Sequence, residues 1–477
     1  MRDSFDLVRS GSLTPCEEKK DAEHNKPTEN RFYLDGSETL VYTPGPLRKD
    51  IAPQVSRLLQ QNHEDHHCYF NDIGFHNHIS HHLFTLYALG ADPAVIDQGY
   101  NTAASYQRPP VHLPPAASAD MRDAAQFAAH MGDENYYLSY LLFFKAEIRA
   151  RGWRDVVREY LFQGDERANR LLARLMVGVL HPWIYLGFGA EFDQPAMVAE
   201  ALAQCAIHDG DDVLEWFLKT EAVAERARAT VGEAKVRKTT LWEVVEQVHR
   251  MDKLKPGNEW AEGRIPEGVI EWAGDELAEI TGRYVVRDDE YDLKSAEIMN
   301  VAAYFCAACQ NPPHIPKLDI FTIHSVTGSI FQPLFGPNCS WLSPAQRTRL
   351  LEWKARMDVA VYAARRAPAM NKAEITDYKP KIPGQSWAEL CKRGADFPDE
   401  GHVCKTIRAL AYSAKACGEF EKPVNGEVSE EVVRRFPIRG EEMWKKATHL
   451  AIDCFEAGDP LWMGKTKDGW ASVPLRE

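Results

Sequence analysis

The sequence predicts an all-α protein, a large multi-helix unit with long irregular loops. Three observations carry this. Apolar residues recur at three- and four-residue spacing through most of the 477 residues. Runs alternating apolar and polar residues, the mark of a half-buried strand, are rare and short. Helix breakers gather between the periodic segments rather than inside them.

Residues 1–30 are polar and charged with few large apolar side chains, the composition of a disordered leader. The stretch to Pro53 holds Gly36, Pro44, Gly45 and Pro46 and reads as extended chain with turns. Helical spacing begins over 53–61. Residues 78–89 turn apolar with no breaker before Gly90 and form the next helix, followed by 93–100. Three more cover 119–130, 134–150 and 153–162, and the habit continues over 166–180, 194–207 and 211–229. The second half predicts helices at 241–251, 268–281, 293–309, 318–331, 344–366, 402–416 and 440–455. Proline-rich linkers such as Arg108-Pro-Pro and Asn311-Pro-Pro separate them. No fixed-period repeat is visible. Residues 31–477 read as a single helical domain, and any subdivision falls near 230–265.

The bulk numbers remove several classes of function. Lys and Arg total 56 against 70 for Asp and Glu, a net charge of −14. A nucleic-acid binder carries a basic stripe, and an anionic membrane attracts one, so neither partner is expected. Ten scattered cysteines suit a reducing compartment. The first twenty residues lack the apolar centre of a secretory signal, and no apolar run reaches membrane-spanning length. A cytoplasmic protein is the expectation.

The chemistry gathers on histidine. Seven of the 17 lie within 63–82: His63, His66, His67, His76, His78, His81 and His82. Imidazole is the commonest protein metal ligand. On a helix from residue 78, His78, His81 and His82 share one side, so two of them reach a common ion. The competing reading is a polar helix end facing water. His181 sits among apolar residues beside Pro182, and His324 lies in a run that is apolar on most sides. An unpartnered buried imidazole costs roughly 1–3 kcal/mol, so each needs a metal or a polar neighbour. Asp319, Ser325 and Thr327 are candidate neighbours of His324. His208 ends an apolar helix and precedes Asp209, a His-Asp pair of the kind that bridges metals in HD hydrolases. His402 and Lys405 are three apart on one helix face. A lysine amine near a metal can take up carbon dioxide as an anionic carbamate. Lowering its pKa from about 10.4 to near 7 costs about 4–5 kcal/mol, which a metal can offset and a bare surface cannot. The pair Gly187-Phe-Gly189 lacks the third glycine and the preceding strand of a dinucleotide loop. Tyr136, Tyr137, Tyr140, Phe143, Phe144, Trp183, Tyr185 and Phe188 either wall a flat pocket or fill the core.

Four blocks together resemble the questin-oxidase-like family, fungal aromatic polyketide oxidoreductases that include the aflatoxin-pathway oxidoreductase. They are Phe75-His-Asn-His-Ile-Ser-His-His-Leu83 with Leu86-Tyr-Ala-Leu-Gly-Ala91; His181-Pro-Trp-Ile-Tyr-Leu-Gly-Phe-Gly-Ala-Glu-Phe192 with Ala199-Glu-Ala-Leu-Ala-Gln204; Lys317-Leu-Asp-Ile-Phe-Thr-Ile-His-Ser-Val-Thr327; and Glu400-Gly-His-Val-Cys-Lys-Thr-Ile-Arg-Ala-Leu410. The resemblance implies oxidative cleavage of a ring in an anthraquinone- or anthrone-type polyketide, by Baeyer–Villiger-like or dioxygenase chemistry. It implies dioxygen and a small aromatic polyketide as reactants. It also implies a non-haem Fe(II) site with several histidines and a carbamylated lysine. Carried onto this chain, the ligands are His81, His181, His324, His402 and Lys405, with His76, His78 and His208 as alternates. A histidine not spent on the metal, His78 or His208, is expected to deprotonate a phenol. The family also implies NADPH, for which the sequence shows no recognised site. Two rivals remain at this point: an HD-type metal-dependent hydrolase resting on His208 and Asp209, and a non-catalytic helical protein.

Overall fold

The computed structural model describes residues 26–113, 120–232, 238–422, 428–464 and 469–476. It is all-α, and the β pairing among the described residues is confined to isolated bridges. The helices are α1 (Ala52–Asp65), α2 (Ile79–Ala88), α3 (Pro93–Ala104), α4 (Ala124–Ala129), α5 (Tyr137–Arg151), α6 (Trp153–Phe162), α7 (Glu166–Leu175), α8 (His181–Glu191), α9 (Pro195–Ile207) and α10 (Asp211–Val231). There follow α11 (Leu241–His249), α12 (Glu271–Thr281), α13 (Tyr291–Ala308), α14 (Thr322–Ser329), α15 (Pro344–Ala364), α16 (Ala373–Thr376), α17 (Trp387–Asp396), α18 (His402–Gly418), α19 (Glu430–Arg435) and α20 (Gly440–Glu456). None among the described residues is long and apolar enough to cross a membrane.

Local chemistry sets the ends. Proline opens α3, α9 and α15, where its missing N–H costs nothing. Ser343 and Ser386 close capping boxes with Gln346 and Glu389. The predicted helix over 166–180 stops at Leu175 because Gly178, Val179 and Leu180 all take positive φ (57°, 51° and 65°). The one predicted over 318–331 shrinks to α14, since the Asp319 carboxylate accepts the Phe321 and Thr322 N–H groups and starts the helix late. Most of the 1–30 leader lies outside the described residues. Residues 26–30 are folded, contrary to expectation: Thr28 pairs with Arg31, and Glu29 meets Arg149 at 2.7 Å.

Nearly all the buried apolar side chains described form one cluster running from Phe32 to Trp462, with a small second one at Ala224 and Val285. Within it α2 packs on α8 and α18, while α14 packs on both α8 and α18. These four carry the site. Gly187 and Gly189 fall inside α8, so they are packing positions and no loop. A Cβ on Gly187 would sit 2.2 Å from the Phe331 ring. Gly187→Ala is therefore expected to destabilise the protein by about 2–3 kcal/mol in urea unfolding, by overpacking.

Candidate metal centre

Four histidines remote in sequence meet where these helices begin. His78 precedes α2, His181 and His402 are the first residues of α8 and α18, and His324 lies in the first turn of α14. One ring nitrogen of each lies within 4.8 Å of the other three. None is more than 6 % exposed.

Each entry is built by identifiable groups. The left-handed turn at 178–180 aims His181, at a cost in strain that is highest for β-branched Val179. Gly178 is needed there twice over, since a Cβ would sit 2.6 Å from the His208 ring. Gly401 (φ 95°) has no Cβ to strike His82, and the Asp399 carboxylate accepts the N–H groups of Gly401 and Val403. Asn77 fixes the chain at His78. Its Oδ1 accepts Ile79 N–H, its amide donates to Asn62, and its carbonyl accepts the Tyr185 hydroxyl at 2.7 Å. Two clamps then join the helices. Trp183 of α8 donates to Gly328 O of α14 at 2.7 Å. Arg408 of α18 grips Glu191 of α8 at 2.5 and 3.1 Å, both buried.

The ring nitrogens are sorted by their backbone partners. His181 Nδ1–H donates to Gly178 O and His324 Nδ1–H to Ile320 O, each at 2.6 Å. In a neutral ring this leaves Nε2 as the lone-pair atom. His181 Nε2 lies 3.1 Å from His78 Nε2, and His78 Nδ1 is buried without a hydrogen-bond partner. Burial, and next the Lys405 charge, push His181 down to about 3. Burial and His402 hold His78 well below the usual imidazole range. Neutral, buried, mutually facing nitrogens fit a divalent transition metal.

Three of the expected ligands, His181, His324 and His402, lie together with His78, one of the alternates, while His81 falls outside this set of four. His81 stands beside them, its ring 4.8 Å from that of His78. Its Nδ1 is 2.8 Å from Lys405 Nζ, and its Nε2 has no hydrogen-bond partner. Lys405 is buried, and burial lowers its amine to about 8. His76 and His208 form a layer behind. The His76 ring stacks on His181 at 4.2 Å, His208 Nε2 lies 3.0 Å from His76 Nε2, and the Tyr69 hydroxyl meets His208 at 3.1 Å. Burial pushes His208 down to about 3. The rest of the histidine run is occupied elsewhere: His63 between Glu200 and Lys145, His66 on Asn62, His67 on Tyr69 N–H, and His82 against Gly99 and Gly401. Asp319 caps α14 and binds Arg365. Asn77, Glu191 and Glu400 were not singled out in the sequence. Glu400 Oε1 lies 3.3 Å from His402 Nδ1, and its place two residues ahead of a candidate ligand was the available signal. Asp209 is exposed, accepts its neighbour Gly210 N–H, and stands outside the four-histidine set. Asp209→Asn is expected to leave turnover within about twofold of wild type, as for a surface substitution, whereas a bridging HD ligand would be lost.

The questin oxidase-like family profile matches residues 75–410. The chain is 34% identical over 429 residues to a questin oxidase of Aspergillus fumigatus, covering 88% of this chain and 93% of that protein. It is 34% identical over 408 residues to the Baeyer-Villiger oxidase ptaJ of Pestalotiopsis fici, covering 85% and 88%. It is 35% identical over 442 residues to the oxidoreductase AflY of Aspergillus parasiticus, covering 91% and 85%.

Proposed function

The chain belongs to the questin oxidase-like family, and from that premise we propose that it is an oxygenase that opens a ring of an anthraquinone- or anthrone-type polyketide at a non-haem iron centre in its single helical domain. The observation supporting the iron centre is the approach of four buried ring nitrogens to within 4.8 Å of one another. His78, His181, His324 and His402 would hold the metal, and Lys405, as a carbamate, would offer an oxygen beside them. Ferrous iron supplies activation of dioxygen, chemistry outside the reach of the side chains alone.

The chain's own residues do the rest. Gly178 O and Ile320 O orient the rings of His181 and His324. Burial excludes water. Burial lowers the Lys405 amine, so it gives up its proton to become open to carbon dioxide more readily than a surface lysine. Burial keeps His208 neutral, and with Tyr69 and His76 it forms a hydrogen-bonded layer that supports the His181 ring from behind. Lys405→Arg keeps the positive charge and cannot form a carbamate, so activity is expected to fall by about a hundredfold.

Incubation with a polyhydroxyanthraquinone under ¹⁸O₂ tests the reading. A ring-opened product carrying two labelled atoms without NADPH supports the dioxygenase form. One labelled atom with a strict NADPH requirement supports the monooxygenase form. No labelled, ring-opened product under either condition refutes the proposal.

A further inference from the structure

The histidine centre is buried, and a chain of aromatic and polar contacts runs from it to the surface. Residues 69–76 form a short hairpin in which Tyr69 pairs with His76 and Phe70 N–H donates to Phe75 O at 2.8 Å. Asn71 Oδ1 accepts the N–H groups of Ile73 and Phe75, and Gly74 at φ 78° completes the turn. Arg108 anchors the hairpin through Tyr69 O at 2.8 Å and Asp72 at 3.1 Å. Its base is part of the centre, since His76 stacks on His181 and the chain runs directly on to His78.

Its tip is in solvent. Ile73 is 75% exposed and Phe75 48%. The Phe70 ring lies 5.9 Å from Phe75 and 5.2 Å from Tyr106, which is itself 39% exposed. The Tyr106 hydroxyl donates to Glu400 Oε2 at 3.2 Å, and the other Glu400 oxygen faces His402. Three aromatic rings at the surface thus end on a hydroxyl–carboxylate pair that touches a candidate metal ligand. Exposed apolar groups gathered on one patch mark a binding surface, and this one adjoins the only chemistry so far assigned to the molecule.

We propose that Phe70, Phe75 and Tyr106 determine substrate specificity, gripping the face of a fused-ring phenolic substrate while Tyr106 and Glu400 hydrogen-bond its phenol. This rests on the oxygenase reading above. A planar polycycle matches the patch because offset stacking and area burial both grow with ring number. A single-ring phenol gains little from it, so discrimination by ring number follows.

The test uses the metal-loaded full chain, a trihydroxyanthraquinone and, as the single-ring comparison, resorcinol. Phe75→Ala is expected to raise KM for the anthraquinone about tenfold, leave the binding of resorcinol unchanged, and keep the wild-type iron content. Tyr106→Phe keeps the ring and removes the hydroxyl, so it is expected to raise KM less, by about threefold. Leu142→Ala removes an exposed apolar side chain from α5 and serves as the control. Wild-type KM in both Phe75→Ala and Tyr106→Phe overturns the inference and leaves the oxygenase reading standing. Failure of the wild-type protein to turn over any polyhydroxyanthraquinone sinks the oxygenase reading, and this inference with it.

Discussion

His324→Ala is expected to lose more than about a hundredfold of oxygenase activity, because removing even an outer partner of a metal ligand costs 10–100-fold. The ring lies in the first turn of α14, with Nδ1–H held by Ile320 O and Nε2 in the four-nitrogen set. Alanine leaves three donors and a cavity. The unloaded wild type carries four desolvated imidazoles, so bound metal is a source of its folding stability by mass action. Added Fe(II) should therefore raise the melting temperature of the wild type under anaerobic conditions and leave that of His324→Ala unmoved. An equal shift in both would show that His324 is not a ligand.

Arg408→Met is expected to cost about 3–5 kcal/mol of stability, the usual penalty for stranding one member of a buried ion pair. Arg408 and Glu191 are both buried, and each also binds backbone: Arg408 donates to Tyr42 O, and Glu191 accepts Val41 N–H. The pair joins α8, which starts at His181, to α18, which starts at His402. Its loss should thus weaken metal binding as well as folding. Adding Glu191→Leu removes the stranded charge and is expected to recover most of the stability in urea unfolding. A single variant as stable as wild type would mean that the pair is replaceable by water.

Much of this was legible in the sequence, because helices with a uniform apolar stripe announce themselves, although α17 with its Ser386 start was not among those expected. α8 did not, since Pro182, Gly187 and Gly189 argue against a helix by propensity. Tertiary contact overrides that preference: Phe331 and Val198 occupy the space the missing side chains leave. The centre was legible as histidine chemistry on four blocks. Which histidine of the 63–82 run enters it was not. Spacing places His78, His81 and His82 on one side of a helix, but α2 begins at Ile79, leaving His78 at the cap and turning His81 to Lys405. That outcome depends on how α2 is rotated against α8 and α18, which no single stretch of sequence encodes. Asp319 was ambiguous for a related reason, since a carboxylate ahead of a helix serves equally as a cap or as a ligand's partner.

Elemental analysis of protein purified without chelators, run on the wild type, His78→Ala and His81→Ala, tests the four-histidine centre most directly. About one iron per chain in the wild type, lost in His78→Ala and retained in His81→Ala, is the expected result. Zinc or no metal in the wild type, or iron that survives in His78→Ala and disappears in His81→Ala, would contradict it.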